Sequence, residues 1–135
     1  MIKVIMDKKG TGKTKRLIEL ANSSIAQDSG DIVFVDNNNH HMYELNHEIR
    51  FIDTSEFEIN DFCVFYGFLC GIISENFDIS KIYIDGLFEI VNDDMDSLEI
   101  FLNDINKISD KFNIEFTMTI SGDPKTVPAF LQQYM

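Results

Sequence analysis

Eight residues near the start of the chain, Asp7-Lys8-Lys9-Gly10-Thr11-Gly12-Lys13-Thr14, have the types and spacing needed to hold phosphate groups. Phosphate oxygens are bound closely by backbone N–H groups, so the residues carrying those groups need freedom in φ and little bulk. Gly10 and Gly12 supply both. A helix beginning just after them adds the partial positive charge of its N-terminus. Lys13 then reaches the outer phosphates of a nucleoside triphosphate, and the Thr14 hydroxyl is placed to ligate Mg²⁺. Lys9, Thr11 and Lys15 complete the phosphate-binding set. The plain alternative is a glycine-rich turn ahead of a basic helix.

A second chemical signal is the run Ile82-Tyr83-Ile84-Asp85, an apolar strand ending in a carboxylate that could hold a metal ion. The plain alternative is a turn formed by Asp85-Gly86. His40, His41 and His47 share one polar stretch without a nearby cysteine, and read as solvated loop residues rather than metal ligands. The acids Asp93, Asp94 and Asp96 read as a helix start favoured by the helix dipole.

The elements that must position these groups follow from periodicity. Residues 2–6 read as a strand, followed by the loop 7–12 and a helix from about Lys13 to Asp28, with Leu17, Ile18, Ala21 and Ile25 on one face. Ser29-Gly30 is the expected helix stop. Residues 31–36 and 81–85 are short apolar runs bounded by turn residues, as buried parallel strands are. Met42–Leu45 and Ile49–Asp53 suggest a hairpin or edge strands around Asn46-His47. Residues 60–76 form a helix that is apolar almost all round, with Gly67 and Gly71 expected to allow close packing against the sheet or another helix. An amphipathic helix over 94–112 precedes a strand over 114–121, where apolar Ile114, Phe116, Met118 and Ile120 alternate with polar residues. A last short helix is expected within 127–134. Strands alternating with helices predict an α/β fold: a single domain, mainly parallel sheet, helices on both faces.

The loop resembles the Walker A sequence G-x-x-G-x-G-K-T of P-loop NTPases, with Asp7 in place of the first glycine. A side chain there costs about 1 kcal/mol where φ is positive, and its carboxylate repels phosphate unless Lys8, Lys9 or a metal offsets it. The 82–85 strand resembles Walker B, which implies a Mg²⁺ site made by Thr14 and Asp85. The order of elements is similar to the RecA-like division, here as a shortened core. That resemblance implies that the 114–121 strand inserts between the first strand and the 81–85 strand. Thr119 and Ser121 would then sit as polar sensors of the γ-phosphate. Short bacterial proteins labelled ATP-binding are similar in this general way.

Hydrolysis needs a carboxylate to polarise the attacking water. Relatives in this division place Glu directly after the Walker B Asp, where this chain has Gly86, or shortly after the second strand, where Asp36-Asn37-Asn38 offers an amide. Glu89, Asp53 and Glu56 are the substitutes to examine, although surface charge explains all three more simply.

Composition sets outer limits. With 135 residues, 44% of them hydrophobic, the chain is expected to form one domain around one core. No segment reaches the roughly 18 to 20 apolar residues of a membrane span, and residues 1–6 read as a strand rather than a leader, so a cytoplasmic location is expected. Cys63 and Cys70 lie about 10 Å apart on one helix, too far for a mutual disulfide, and are expected to be small packed residues. Net charge is -12, yet six of the eleven basic residues fall within the first 16 positions beside a single acid. This favours a small anion such as a nucleotide over non-specific nucleic-acid binding.

Three functional classes remain open: an ATP-binding protein with slow or partner-stimulated hydrolysis, a nucleotide-gated interaction module, and a small-molecule phosphotransferase. In the second, the 60–76 helix meets a protein partner or another copy of the chain. The third would need a lid and a substrate insertion for which the length leaves little room.

Overall fold

The computed structural model describes residues 1–27 and 30–135. The alternating and apolar runs fold into five strands: β1 (Ile2–Asp7), β2 (Asp31–Asp36), β3 (Arg50–Asp53), β4 (Ile79–Ile84) and β5 (Glu115–Ser121). All are parallel, in the order β1-β5-β4-β2-β3. The last strand inserts between the first strand and the one that leads into Asp85, the position that the resemblance implied.

Side-chain alternation divides the sheet into two faces. On one, Ile2, Val4, Val33, Val35, Ile82, Ile84, Phe116, Met118 and Ile120 form the main core. They pack under helices α2 (Phe62–Glu75) and α4 (Met95–Phe112), to which α2 gives Phe65, Leu69 and Ile73 and α4 gives Leu98, Phe101, Leu102 and Ile105. Stacking of Phe101 on Phe62 and Phe65, with centroids 4.8 and 5.8 Å apart, locks the two helices together. On the other face, Ile32, Phe34 and Tyr83 meet Leu17, Ile18 and Ala21 of a single helix, α1 (Lys13–Ser24). Helices therefore cover both faces, unequally. One-turn helices α3 (Leu87–Ile90) and α5 (Ala129–Gln132) complete the chain.

Acidic caps fix the helix starts. Asp61 accepts from the Val64 N–H at 2.8 Å and Asp94 from the Ser97 N–H at 2.8 Å. Asp93 accepts from the Phe62 N–H, and this bond and that from the Asp94 N–H hold its carboxyl below the usual carboxylate range. Asp93 and Asp94 thus serve the starts of two helices.

Four expectations need correction. Helix α1 ends at Ser24, with Ile25–Gln27 in a turn; Asp28 and Ser29 of the expected stop lie outside the described residues. A glycine is required at position 30 because a Cβ there would lie 2.5 Å from the Ser80 Cβ. Of the hairpin or edge strands expected over Met42–Leu45 and Ile49–Asp53, only the second segment forms a strand, the edge strand β3. Met42–Glu44 is a single 3₁₀ turn, held to α1 by bonds from Asn22 Nδ2 to the Glu44 carbonyl and from the Asn46 N–H to Asn22 Oδ1, while β3 pairs parallel with β2.

The other two corrections concern α2. Gly67 and Gly71 face open space, with nothing within 4 Å of a built Cβ, so they serve no close helix contact. Cys63 is exposed rather than packed, whereas half-buried Cys70 does pack against the main core; both are free thiols. Among the described residues no helix is long and apolar enough to cross a membrane.

Candidate functional site

The five strands run in one direction, so their C-terminal ends share one edge of the sheet. Register then sets side chains in rows. Val35 pairs with Ile84, Ile84 with Met118, and Ile5 with Thr119. One step on, Asp36, Asp85 and Thr119 come side by side on the α1 face, and Asp53 pairs with Asp36 from the far edge.

The loop between β1 and α1 lies over this row. Gly10 and Gly12 adopt φ of 84° and 87°, the left-handed conformation that disfavours any side chain. The Thr11 hydroxyl and the Lys13 ammonium both donate to the Lys8 carbonyl, at 2.8 and 2.9 Å, closing the loop on itself. The Arg16 N–H bonds to the Gly12 carbonyl to begin α1, whose first turn holds no acid and no side-chain cap. Its N–H groups therefore face the pocket with no competing carboxylate on the helix.

An open pocket of about 390 Å³ results. Lys9, Gly10, Gly12, Lys13, Thr14 and Lys15 line it, together with His41, Asp85, Gly86, Glu89, Thr119 and Ser121. Thr11 shapes the loop from outside the lining. Lys3 and Arg16 do not contribute to it. They line a separate groove with Lys81 and Tyr83 under α1, where Lys3 pairs with Glu115 at 3.2 Å. The cationic N-terminal segment is thus split between two places.

Asp85, 6% exposed, is the centre of the row. Thr14 Oγ1 donates to its Oδ2 at 2.9 Å and Thr119 Oγ1 to its Oδ1 at 2.8 Å, while the Gly86 N–H donates to Thr119 Oγ1 at 2.7 Å. Residues 14, 85 and 119 are brought together from three elements, and both Asp85 oxygens are satisfied. A hydroxyl beside a carboxylate is an oxygen donor set of the kind Mg²⁺ takes.

The three substitute carboxylates separate. Glu89 lines the pocket beside Gly86. Asp53 sits on the edge strand with its Oδ1 accepting from the Ser55 N–H and hydroxyl, and Glu56 is exposed on the following 3₁₀ turn; neither lines the pocket. Asn38 is committed to its loop, donating to Asn37 Oδ1 and accepting from the His40 N–H. Asp7 takes a negative φ, and its Oδ1 accepts from the Lys8 N–H at 2.8 Å. The backbone penalty feared at that position is not present. Of the histidines only His41 reaches the pocket, and its Nδ1 contacts Glu44. Among the described residues no group of three or more metal-ligating side chains of the His, Cys, Asp or Glu type is found.

Sequence reasoning passed over Asp36. Its side chain is 2% exposed; Oδ1 accepts from the Asn37 N–H at 2.7 Å, and Oδ2 is buried with no partner among the described residues. Burial first, and then the charge of Asp85, raise its pKa from 3.8 to about 7, against smaller opposing effects of the Asn37 N–H and His41. A signal was available, since residues 32–36 and 82–85 are both apolar runs ending in Asp.

No protein-family model matches the chain, and no curated protein is significantly similar to it in sequence.

Proposed function

We propose that the chain binds a Mg²⁺–nucleoside triphosphate, with ATP the first ligand to test, and hydrolyses it slowly or on stimulation by a partner. The hydrogen bond from Thr14 to Asp85 carries this reading. These are the two groups that the resemblance to Walker A and Walker B assigns to Mg²⁺, and they meet across 71 residues of sequence at the mouth of the glycine loop.

In this reading the loop N–H groups and Lys13 take the β- and γ-phosphates. Thr14 and Asp85 take the metal, which would neutralise phosphate charge. Thr119 orients Asp85, and Ser121 and Glu89 approach the terminal phosphate.

Isothermal titration of Mg-ATP into the wild type and Lys13→Ala is the test. The expected result is saturable binding lost in a folded Lys13→Ala protein, since a half-exposed lysine contributes little to stability. Equal affinity of the two proteins would end the proposal.

A second reading, a nucleotide-gated interaction module, is favoured by the free face of α2. There Val64 is 46% exposed, Gly67 and Gly71 face open space, and exposed Phe57 lies against Phe68. A protein partner or a second copy would cover it, and sedimentation with and without Mg-ATP distinguishes that case from a monomeric ATPase.

A further inference from the structure

We infer that Asp36 and Asp85 form a divalent-cation site that fills without any nucleotide, the ion lying between the two carboxylates. The site shares Asp85 with the nucleotide-binding reading above but does not depend on a phosphate ligand.

Three observations point to it. Asp36 and Asp85 each follow a paired residue of adjacent parallel strands, Val35 and Ile84, and the ladder continues through a 2.9 Å bond from the Asp85 N–H to the Val35 carbonyl. Side chains at such positions leave the same face from backbones about 4.8 Å apart. An ion with oxygen ligands at about 2.0–2.1 Å bridges oxygens about 4 Å apart. Strands at this spacing bring two carboxylates of one face within reach of a single ion.

Satisfaction of the two carboxylates is also unequal. Asp85 receives a hydroxyl on each oxygen, from Thr14 and Thr119. Asp36 receives one N–H on Oδ1, and its buried Oδ2 receives nothing among the described residues. A buried acceptor with no donor is costly and calls for a proton, a water or an ion.

Charge decides among these. Asp85 stands next to Asp36 across the strand ladder, and Glu89 adds a further negative charge. Two carboxylates on neighbouring strands, one with a buried oxygen that has no partner among the described residues, favour a cation once both are ionised. The ligands are hard oxygens only, which selects Mg²⁺ or Mn²⁺ over softer metals.

The test is a Mn²⁺ titration of the chelator-treated, nucleotide-free protein, following loss of the free-Mn²⁺ electron paramagnetic resonance signal. One saturable equivalent is expected in the wild type, and Asp36→Asn, which keeps the shape and removes the charge, should weaken it at least tenfold. Asp36→Ser serves in its place if the asparagine variant does not fold. Absence of saturable uptake by the wild type, as when Oδ2 carries only a proton, overturns the site, as does wild-type affinity in a folded Asp36 variant. No nucleotide is present, so a failure of ATP binding leaves this result standing, and absence of Mn²⁺ uptake leaves the phosphate loop to be judged by the Lys13→Ala titration.

Discussion

The Glu89 carboxylate occupies the space that a side chain at Gly86 would need: a Cβ there would lie 2.7 Å from Glu89 Oε2. Glu89 is a long side chain almost a full turn further on in the short helix, so it can yield. The backbone at Gly86 cannot yield as easily, because its φ is 69°. Gly86→Ala is therefore expected to cost about 1–2 kcal/mol through the left-handed conformation. Thermal unfolding checks it, and Glu89→Ala in the same chain should not restore the loss. Full restoration would show that the clash, not the backbone, was decisive.

Under the proposed function, Asp7 is expected to affect ligand binding through charge alone. With φ negative and its carboxylate tied to the Lys8 N–H, glycine brings no conformational relief. Asp7→Asn and Asp7→Gly should tighten Mg-ATP binding by the same small factor, about threefold, a few tenths of a kcal/mol of screened repulsion. Tightening by glycine only would restore the backbone explanation.

Stability should fall as pH rises from 4 to 7 in metal-free buffer. Asp36 holds its proton to about 7 in the fold, against 3.8 when unfolded. Between these values the unfolded chain has released a proton that the folded chain retains, so the contribution present at low pH is lost as pH rises through the folded value. The slope is of order 1 kcal/mol per pH unit. Asp36→Asn should flatten the profile and be the more stable protein at pH 8. Denaturant unfolding at pH 4.5, 6 and 8 with chelator measures it, and parallel profiles for the two proteins would contradict it.

Turnover by the isolated protein is expected below about 1 s⁻¹, the low end of enzyme rates. Neither Gly86 nor Asn38 supplies a base, Arg16 lines the groove under α1, and Arg50 lies on the edge strand β3. Loss of a positioned base removes roughly 10²–10⁴ in rate. Steady-state phosphate release faster than that, abolished by Lys13→Ala, would refute the expectation and direct mutation to Glu89 and Asp36.

Gly67→Ala and Gly71→Ala should each stabilise the protein by about 0.5–1 kcal/mol, because both glycines are inside a helix with free space at the Cβ position. Gly30→Ala should destabilise it, since Ser80 Cβ and the Asp78 carbonyl lie 2.5 and 2.9 Å from the new methyl group. Midpoints of thermal unfolding for the three variants test both directions together.

Local patterns carried most of the fold. Strand alternation at 114–121 and the apolar runs at 31–36 and 81–85 define strands without reference to distant contacts. The segment 42–53 was not legible in this way, because Asn22, far back on α1, decides its course by bonding Glu44 and Asn46. The α2 glycines misled for a related reason: a small-residue face indicates that a neighbour could approach, not that one does. At the site, Thr14 and Asp85 were visible as motif positions. Asp36 was not legible because its place beside residue 85 is set by strand register, which no local pattern encodes.

The sheet order also fixes when the site can exist. Strand β1, which leads into the glycine loop, has β5 as its only sheet neighbour among the described residues, and beyond it the Val4 N–H meets the Tyr134 carbonyl. On the ribosome, β2, β3 and β4 can pair while β1 waits without a partner until residues 115–121 emerge. The loop made first is thus anchored last, a non-local closure of the kind that slows folding and exposes unpaired strand edges. Ligand binding by a nascent chain would mark the moment the sheet is finished.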